Sequence, residues 1–280
     1  MFHEVLCAIV SLYRQEVVLP TSETSPLPRV LNPKYIHFKD CLGALDGTHI
    51  EVHLPPGDHA RYRNRKQSLS KNVLGVCDFD LLFVYILAGW EGSAHDQRVL
   101  NDAQLKGLIT PKGRYWLGDA GYHNSSTVMV PYRGVRYHLK EQWQSKNKPE
   151  TYQELFNLRH SSLRNAIERI FGVAKRKFKV LKSVPEYSVE VQTQLVCAVV
   201  VLYNFVRRRE GDLGDRYFLP DQEDLLVLNS EDIQAELEGN YKDNGSTEMD
   251  KKRDEIAKAM WKDYRQYLGL LIDEVDSTDS

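Results

Sequence analysis

Three carboxylates in this sequence occur in short contexts that could support chemistry. Asp46 lies in "LDGTH", Asp119 in "GDAGY" and Glu168 in "IERIFG". Three carboxylates without a cysteine ligand set suit a hard dication such as Mg²⁺. Two such ions can activate a water and stabilise the leaving oxygen of a phosphodiester. Each acid taken singly is more often a cap, a turn residue or a salt-bridge partner, so only the set favours metal-dependent chemistry.

Asp46 belongs to a segment with the pattern of a half-buried strand. Ile50, Val52 and Leu54 alternate with polar residues, and Asp46 has the same parity, so we expect it on the covered face. An ionised carboxylate there needs a partner, because burial of an unpaired charge is costly. Gly47 offers a place for a bulge that would re-aim Asp46, since bulges gather beside active sites.

Asp119 stands near the end of a second predicted strand, residues 114–122. Its small neighbours in "GDAGY" leave room for a ligand to approach the backbone closely. The sheets of α/β proteins usually place their ligands beyond the C-terminal ends of such strands. We therefore expect Asp119 at a ligand-binding edge of the sheet.

Glu168 lies on a predicted helix that runs from about Ser161 to Phe178. It is about 100° around the helix from the apolar residue Ile167, which places it at the boundary of the buried face. Gly172, one turn later, leaves space beside the carboxylate. The alternative is an ordinary helical ion pair with Arg164, four residues earlier.

Other catalytic patterns are missing from the sequence, which has no GxSxG elbow, no GxxxxGK[ST] loop and no HExxH helix. Four scattered cysteines without a CxxC pair favour reduced thiols in an intracellular protein over disulfides or a zinc site. His95 and Asp96 could be a catalytic pair, but such a pair is more often a helix cap. A helix is predicted over 93–109, with Ser93 as a further N-cap candidate.

The order of the predicted elements indicates an α/β layer fold with a mixed sheet. The early part contains the strand that carries Asp46 and a hairpin. Later come a helix, two short strands, a polar insertion and two long helices. The predicted ranges are an N-terminal helix over 1–19, hairpin arms at 72–80 and 81–90, strands at 114–122 and 128–134, an insertion at 141–157, and helices at 161–178 and 189–209.

Charge is distributed unevenly along the chain. Residues 210–280 carry 20 acidic and 8 basic side chains, whereas residues 1–209 carry 19 acidic and 29 basic ones. A basic body with an acidic tail is compatible with a nucleic-acid binder, and a solvated surface with an acidic linker explains the charges equally well. The uninterrupted apolar runs at 81–90 and 195–203 are shorter than the roughly 18 residues that span a bilayer, so we expect no membrane association.

Several segments in series resemble the DDE domain of PIF/Harbinger transposases and of the nuclease-like proteins derived from them. The segments are "GALDGTHIEV", "NVLGVCDFDLLFVYILAGWEGSAHDQRVL", "YWLGDAGYHN", "PYRGVRYHL" and "ELFNLRHSSLRNAIERIFGVAKRKF". They cover about residues 40–205 in the family's order. The resemblance implies a ribonuclease-H-like fold, an α/β arrangement with a mixed five-stranded sheet flanked by helices.

The resemblance also assigns roles to particular residues. Asp46, Asp119 and Glu168 match the catalytic triad, which would bind two Mg²⁺ or Mn²⁺ ions. Asp96, next to His95, matches a further family position with an auxiliary role, either helix capping or support of the metal ligands, with direct metal binding as the less favoured alternative. Three regions follow from it: residues 1–39 as a helix and linker left from a helix-turn-helix region, 40–209 as the DDE domain, and 210–280 as an acidic tail with a helical segment at 253–272.

The family implies DNA as the substrate, a nuclear location with the cytoplasm as a second compartment, and a separate Myb-like DNA-binding partner for transposition. A homo-oligomer is compatible with this assignment. Basic runs would hold the DNA backbone, and each run is equally well interpreted as a solubility surface or a nuclear-import signal. The candidates are Arg61, Arg63, Arg65, Lys66, Lys175, Arg176 and Lys177, with a further run at 207–209.

Two functions are therefore expected as alternatives. One is a metal-dependent DNA endonuclease of the Harbinger-transposase type. The other is a domesticated, non-cleaving DNA- or chromatin-associated protein that keeps the fold for binding. Convergence of the three carboxylates would favour the first, whereas a Glu168 that points to solvent beside Arg164 would count against it.

Overall fold

The computed structural model of the chain describes residues 1–54, 57, 59–63, 67–135, 148–182, 186–218 and 247–278. Helices precede, interrupt and follow the five strands, as in an α/β protein with a mixed sheet. In chain order they are α1 (Phe2–Ser11), α2 (Tyr13–Glu16), α3 (Pro28–Leu31), β1 (Cys41–Glu51), α4 (His59–Tyr62), β2 (Ser70–Cys77), β3 (Phe83–Glu91), α5 (Asp96–Leu105), β4 (Tyr115–Leu117), β5 (Val128–Met129), α6 (Tyr152–Lys177), α7 (Val189–Phe218) and α8 (Thr247–Thr278). Two short 3₁₀ helices cover Ile36–Phe38 and Lys179–Leu181.

The five strands form one mixed sheet in the order β3-β2-β1-β4-β5. Strands β1, β2 and β3 are an antiparallel meander, and β4 and β5 run parallel to β1 on its other side. Helices α6 and α7 pack on one face of the sheet and α5 on the other. The prediction of a ribonuclease-H-like mixed five-stranded sheet flanked by helices is confirmed.

Strand β2 shows why the sheet has a core on each face. Its apolar side chains alternate, so that Val73 and Cys77 join the core beneath α6 and α7, while Leu74 and Val76 join the core beneath α5. All eight residues of β2 are buried. A central strand covered on both faces is expected to be largely apolar, and β2 is so from Val73 to Cys77. Its first three residues, Ser70, Lys71 and Asn72, are polar and buried.

Strand β1 follows the alternation that the sequence predicts, and Ile50 and Val52 are both buried. The predicted bulge at Gly47 is wrong, because β1 pairs with β2 in unbroken register from Ala44 to Glu51. The irregularity in β1 lies instead between Cys41 and Gly43, on the side that faces β4. Asp46 therefore keeps the direction that strand parity gives it.

Helix α6 begins nine residues earlier than the sequence predicts. Thr151 caps its start, since the Thr151 hydroxyl accepts a hydrogen bond from the backbone N–H of Glu154 at 3.2 Å. Residues 152–157, interpreted from sequence as part of a polar insertion, are its first turns, and Leu155 and Phe156 among them are buried. Residues 141–147 of that insertion lie outside the described part of the chain.

Helix α7 extends the predicted helix at 189–209 to Phe218. Its segment Val189–Arg209 is long and apolar enough to cross a membrane by length and composition alone, a property that the count of uninterrupted apolar residues missed. In this fold the segment lies against β3 and α1. Asn204, fully buried on this helix, hydrogen-bonds to both backbone polar atoms of Phe83, which is the behaviour of a core helix.

Helix α8 is longer than the predicted segment at 253–272 and docks on its own chain, mainly against α6. Met249, Ile256 and Met260 are buried there. Polar contacts reinforce the docking, including Asn124 Nδ2 to Asp250 Oδ1 at 2.6 Å. This part of the predicted acidic tail is thus integrated into the fold.

Candidate active site

Asp46 and Asp119 are brought together by the register of two parallel strands. The last pair between β1 and β4 joins Ala44 to Leu117, and each aspartate stands two residues beyond its member of that pair. Parallel strands advance at the same rate, so the two carboxylates lie side by side at the end of the β1–β4 ladder. No short-range pattern in the sequence specifies this register.

The loop after β4 holds the Asp119 side chain in place. Its Oδ1 accepts a hydrogen bond from the backbone N–H of Gly121 at 2.9 Å, and the residue is only 8% exposed. A Cβ at position 121 would come within 3.1 Å of that same oxygen. The small size of Gly121 in "GDAGY" therefore lets the backbone come close to the Asp119 carboxylate.

Asp46 faces helix α6, as its strand parity predicts. Its Oδ1 accepts from the Gly47 N–H at 2.8 Å and its Oδ2 from Arg164 Nη1 at 3.2 Å. Burial is the largest effect that raises the pKa of Asp46 well above its ordinary value, and the neighbouring Asp119 carboxylate adds to it. The positive charge of Arg164 lowers the pKa of Asp46, but by less than burial and the neighbouring acids raise it.

Glu168 is neither pointed into solvent nor buried alone. Its Oε1 lies 2.5 Å from Arg164 Nη2, and its side chain is 17% exposed. The same guanidinium binds Asp46 through its other terminal nitrogen. Both interpretations from the sequence are therefore partly realised, because Glu168 forms the helical ion pair and faces the sheet beside Asp46.

Asp96 approaches β1 through a gap made by Gly47. A Cβ at position 47 would lie 2.5 Å from Asp96 Oδ1, so only glycine lets this carboxylate come so close to the strand. The same Oδ1 accepts from Asn72 Nδ2 at 2.7 Å. The absence of a side chain, and not a bulge, is what Gly47 contributes to the site.

The predicted capping role of this region is wrong in its details. Helix α5 begins at Asp96 with His95 at the N-cap position, and the His95 side chain makes no cap hydrogen bond. Ser93 lies before the helix, and its hydroxyl donates to the carbonyl oxygen of Arg61 at 2.9 Å. Of the two auxiliary roles expected for Asp96, its contacts with Asn72 and with β1 at Gly47 favour support of the neighbouring acids.

Two buried polar atoms next to the acids were not found by sequence reasoning. The Tyr122 hydroxyl and Asn72 Oδ1 are both buried, and neither has a hydrogen-bond partner within the described residues. Burial is the largest effect that raises the pKa of Tyr122, and charges on Asp96, Asp46 and Asp119 raise it further, in that order. Tyr122 is the last residue of "GDAGY", so its position in the same motif as Asp119 could have indicated that it lies near the acids.

The residue types at this site fit a divalent cation. Asp46 and Glu168 share the guanidinium of Arg164, and the charges of Asp119 and Asp96 act on Asp46. Asn72 Oδ1, which has no hydrogen-bond partner within the described residues, lies with Asp96 on the other side of β1. The present arrangement of the acids does not close around an ion, since no group of three His, Cys, Asp or Glu side chains in the described ranges could hold one. Arg164 lies between two of the acids instead.

The basic candidates differ in their contacts and in their exposure. Lys175 Nζ donates to Thr48 Oγ1 at 2.7 Å and to the His49 carbonyl oxygen at 2.9 Å, so it ties α6 to β1. Arg61 forms an ion pair with Glu91 at 3.0 Å. Exposure differs among the others: Arg63 and Lys177 are exposed, Arg176 is half-buried, and Arg65 and Lys66 lie outside the described residues.

The run at 207–209 is used within the fold. Arg208 pairs with Glu16 at 2.5 Å, and the Arg209 guanidinium lies 4.1 Å from the centre of the Phe205 ring. Arg207 Nε donates to the Asp80 carbonyl oxygen at 3.4 Å, at the turn between β2 and β3. The contacts of Arg207 and Arg208 join α7 to other parts of the chain, whereas the contact of Arg209 lies within the helix.

Comparison with known proteins identifies a family. A family model described as DDE superfamily endonuclease matches residues 45–204, more than half of the chain. The chain is 26% identical to human "Putative nuclease HARBI1" over 206 residues, which cover 70% of the chain and 55% of that protein. It is 25% identical to "Protein ALP1-like" of Arabidopsis thaliana over 207 residues, 66% of the chain and 48% of that protein. The chain thus spans about half the length of these relatives, and no solved structure matches it.

Proposed function

We propose that this chain, which belongs to the DDE superfamily endonuclease family, is a metal-dependent endonuclease that cuts DNA phosphodiester bonds. Asp46, Asp119 and Glu168 would hold two Mg²⁺ or Mn²⁺ ions. When bound, such ions would activate the attacking water and stabilise the leaving oxygen. Asp96 would act from the opposite side of β1 as a support for these acids.

The observation that carries this proposal is the convergence of acids from three separate elements. Strand β1 supplies Asp46, the loop after β4 supplies Asp119 and helix α6 supplies Glu168. Asp46 and Glu168 share one guanidinium, and the Asp119 charge acts directly on Asp46. Acids that only stabilised the surface would not need to be gathered from such distant parts of the chain.

The protein's own residues would bind and position the DNA. Arg63 and Lys177 are the candidates with exposed side chains, and phosphate contacts from such residues would give salt-dependent affinity. Base-reading features are few, so sequence preference would come from a partner such as a Myb-like DNA-binding protein. A nuclear location follows from this proposal, and a fluorescent fusion excluded from the nucleus would contradict it.

The test is a nicking assay on supercoiled plasmid with Mg²⁺ or Mn²⁺. Glu168→Gln keeps the size of the side chain and removes its charge. It should reduce the rate of nicking by at least about 100-fold, because removal of a group that stabilises the transition state typically costs that much in rate. Glu255→Gln on the exposed side of α8 is the matched control and should nick as the unmodified chain does. Unchanged activity in a folded Glu168→Gln protein would refute the assignment of Glu168.

A binding protein without cleavage activity is the second candidate. It is favoured by the pairing of Arg164 with two of the acids and by the lack of a ready-made ion cage in the described residues. This candidate predicts that DNA binding survives Asp46→Asn and Asp119→Asn and that the unmodified chain does not nick. Nicking that is lost in both variants would exclude it.

A further inference from the structure

One guanidinium holds two of the three acids expected to bind metal. Arg164 Nη1 lies 3.2 Å from Asp46 Oδ2, and Nη2 lies 2.5 Å from Glu168 Oε1. Each terminal nitrogen therefore serves a different carboxylate, one on the sheet and one on the helix. This is a fork geometry, which a point charge such as a lysine ammonium reproduces poorly.

Local structure places Arg164 in this position. Arg164 and Glu168 are four residues apart on α6, so their side chains meet on the same face of the helix. That face is turned to β1, because Ile167 and Phe171 beside it are buried against the sheet. The Arg164 side chain is only 12% exposed and so lies inside the site and not at its rim.

Arg164 occupies oxygen atoms that a metal ion would need. A carboxylate oxygen that accepts a guanidinium N–H has fewer lone pairs for a cation, and two positive charges repel each other strongly at short range inside a protein. Arg164 alone does not balance the surrounding acids, since Asp96 and Asp119 also lie in this cluster. It is thus a partial counter-charge placed between two prospective ligands.

We propose that Arg164 is a competing cation that holds Asp46 and Glu168 together and must release them when a divalent ion binds. This inference rests on the proposed function, because it takes those two acids as metal ligands. Arg164 would then set the affinity for the ion and keep the fold stable without it. Its role is to position the acids, and it need not touch the DNA.

Calorimetric titration of the full chain with Mg²⁺ and with Mn²⁺ tests the competition directly. Arg164→Met removes the charge but keeps much of the side-chain length, and it should bind Mg²⁺ at least about fivefold more tightly than the unmodified chain. Arg164→Lys should fall between them, since one ammonium cannot serve both acids equally. Arg159→Met, on the same helix but with Asp263 and Tyr264 as its charged and polar neighbours, controls for the loss of one positive charge.

A thermal melt separates this role from that of a supporting residue. Without added metal, Arg164→Met should melt at a lower temperature than the unmodified chain, and saturating Mg²⁺ should raise its melting temperature by more. Unchanged or weaker Mg²⁺ binding in Arg164→Met would overturn the proposal. If the unmodified chain binds Mg²⁺ tightly and Arg164→Met does not, Arg164 supports ion binding and does not compete with it.

A second readout uses the unmodified chain and does not depend on how the variants fold. In nitrogen–proton NMR spectra, the Arg164 Nε–H signal, assigned by its loss in Arg164→Lys, should shift when Mg²⁺ saturates the protein. An unchanged signal at saturation would overturn the competition while leaving the metal site intact. If no ion binds to any of these proteins, the proposed function itself fails, and this inference fails with it.

Discussion

Replacement of His160 by glutamine should make the protein less sensitive to acid. His160 lies on α6, is fully buried, and its Nε2–H donates to the carbonyl oxygen of Met129 at 3.1 Å. Its Nδ1 is buried and has no hydrogen-bond partner in the described residues. Burial is the largest effect that lowers the pKa of His160, to about 3, and the nearby positive charges of Arg164 and Arg253 also lower it.

The magnitude follows from linkage between protonation and folding. Because the pKa of His160 is about 3 in the folded chain and near 6.5 when unfolded, the unfolded state binds a proton first as the pH falls. His160 therefore contributes stability that is present above pH 6.5 and is lost as the pH falls toward 3. Between pH 7.5 and 5 the free energy of unfolding falls by about 2 kcal/mol because of His160. This loss depends little on the pKa of His160 in the folded chain, as long as that pKa stays well below 5.

The assay is urea unfolding of the unmodified chain and of His160→Gln at pH 7.5, 6.5, 5.5 and 5. Glutamine keeps an N–H for the Met129 carbonyl oxygen but does not titrate, so the variant should lose about 2 kcal/mol less over this range. The pKa of Asp78 is raised to about 6 by burial, which makes the fold less stable as the pH rises through that value. This effect is common to both proteins and cancels in the difference.

A control histidine sharpens the experiment. His3 is exposed on α1, and His3→Gln is the control for the loss of one histidine without a change in the core. If His160→Gln and the unmodified chain lose the same stability within about 0.5 kcal/mol, the argument from burial of a neutral His160 is refuted.

Three further substitutions test the packing around the sheet and site. Gly43→Ala should destabilise the chain by at least about 3 kcal/mol in urea unfolding, because its Cβ would overlap the carbonyl oxygen of Cys77; a smaller loss would show that β1 can move away. Asn204→Leu should cost about 3 kcal/mol or more by the same measurement, since it leaves the buried backbone N–H of Phe83 without its acceptor, and a near-neutral result would contradict this. Gly172→Ala should raise stability by roughly 0.5–1 kcal/mol, because a Cβ there meets nothing within 4 Å and alanine favours the helix; a lower melting temperature would show that the space is needed.

Local pattern was sufficient for much of the sheet. Alternation at Ile50, Val52 and Leu54 predicted the covered face of β1, and the two apolar arms at 72–80 and 81–90 predicted the hairpin of β2 and β3. The start of α6 was missed because its first turns are rich in polar residues, and only the cap at Thr151 marks the true beginning. Residues of α8 were predicted to be helical, but their docking side was not, since the apolar face of a helix does not identify what it packs against.

The sequence by itself determined which residues could do chemistry: the three acids, their small neighbours, and the motif order by which the chain resembles its family. Tertiary structure decided how those residues meet. The pairing of Ala44 with Leu117 sets Asp46 beside Asp119, and the packing of α6 on β1 places Arg164 between Asp46 and Glu168. The contacts of Asp46 with Asp119 and with Arg164 join residues more than 70 positions apart. Their geometry depends on strand register and helix packing, which the local patterns used for sequence prediction do not encode.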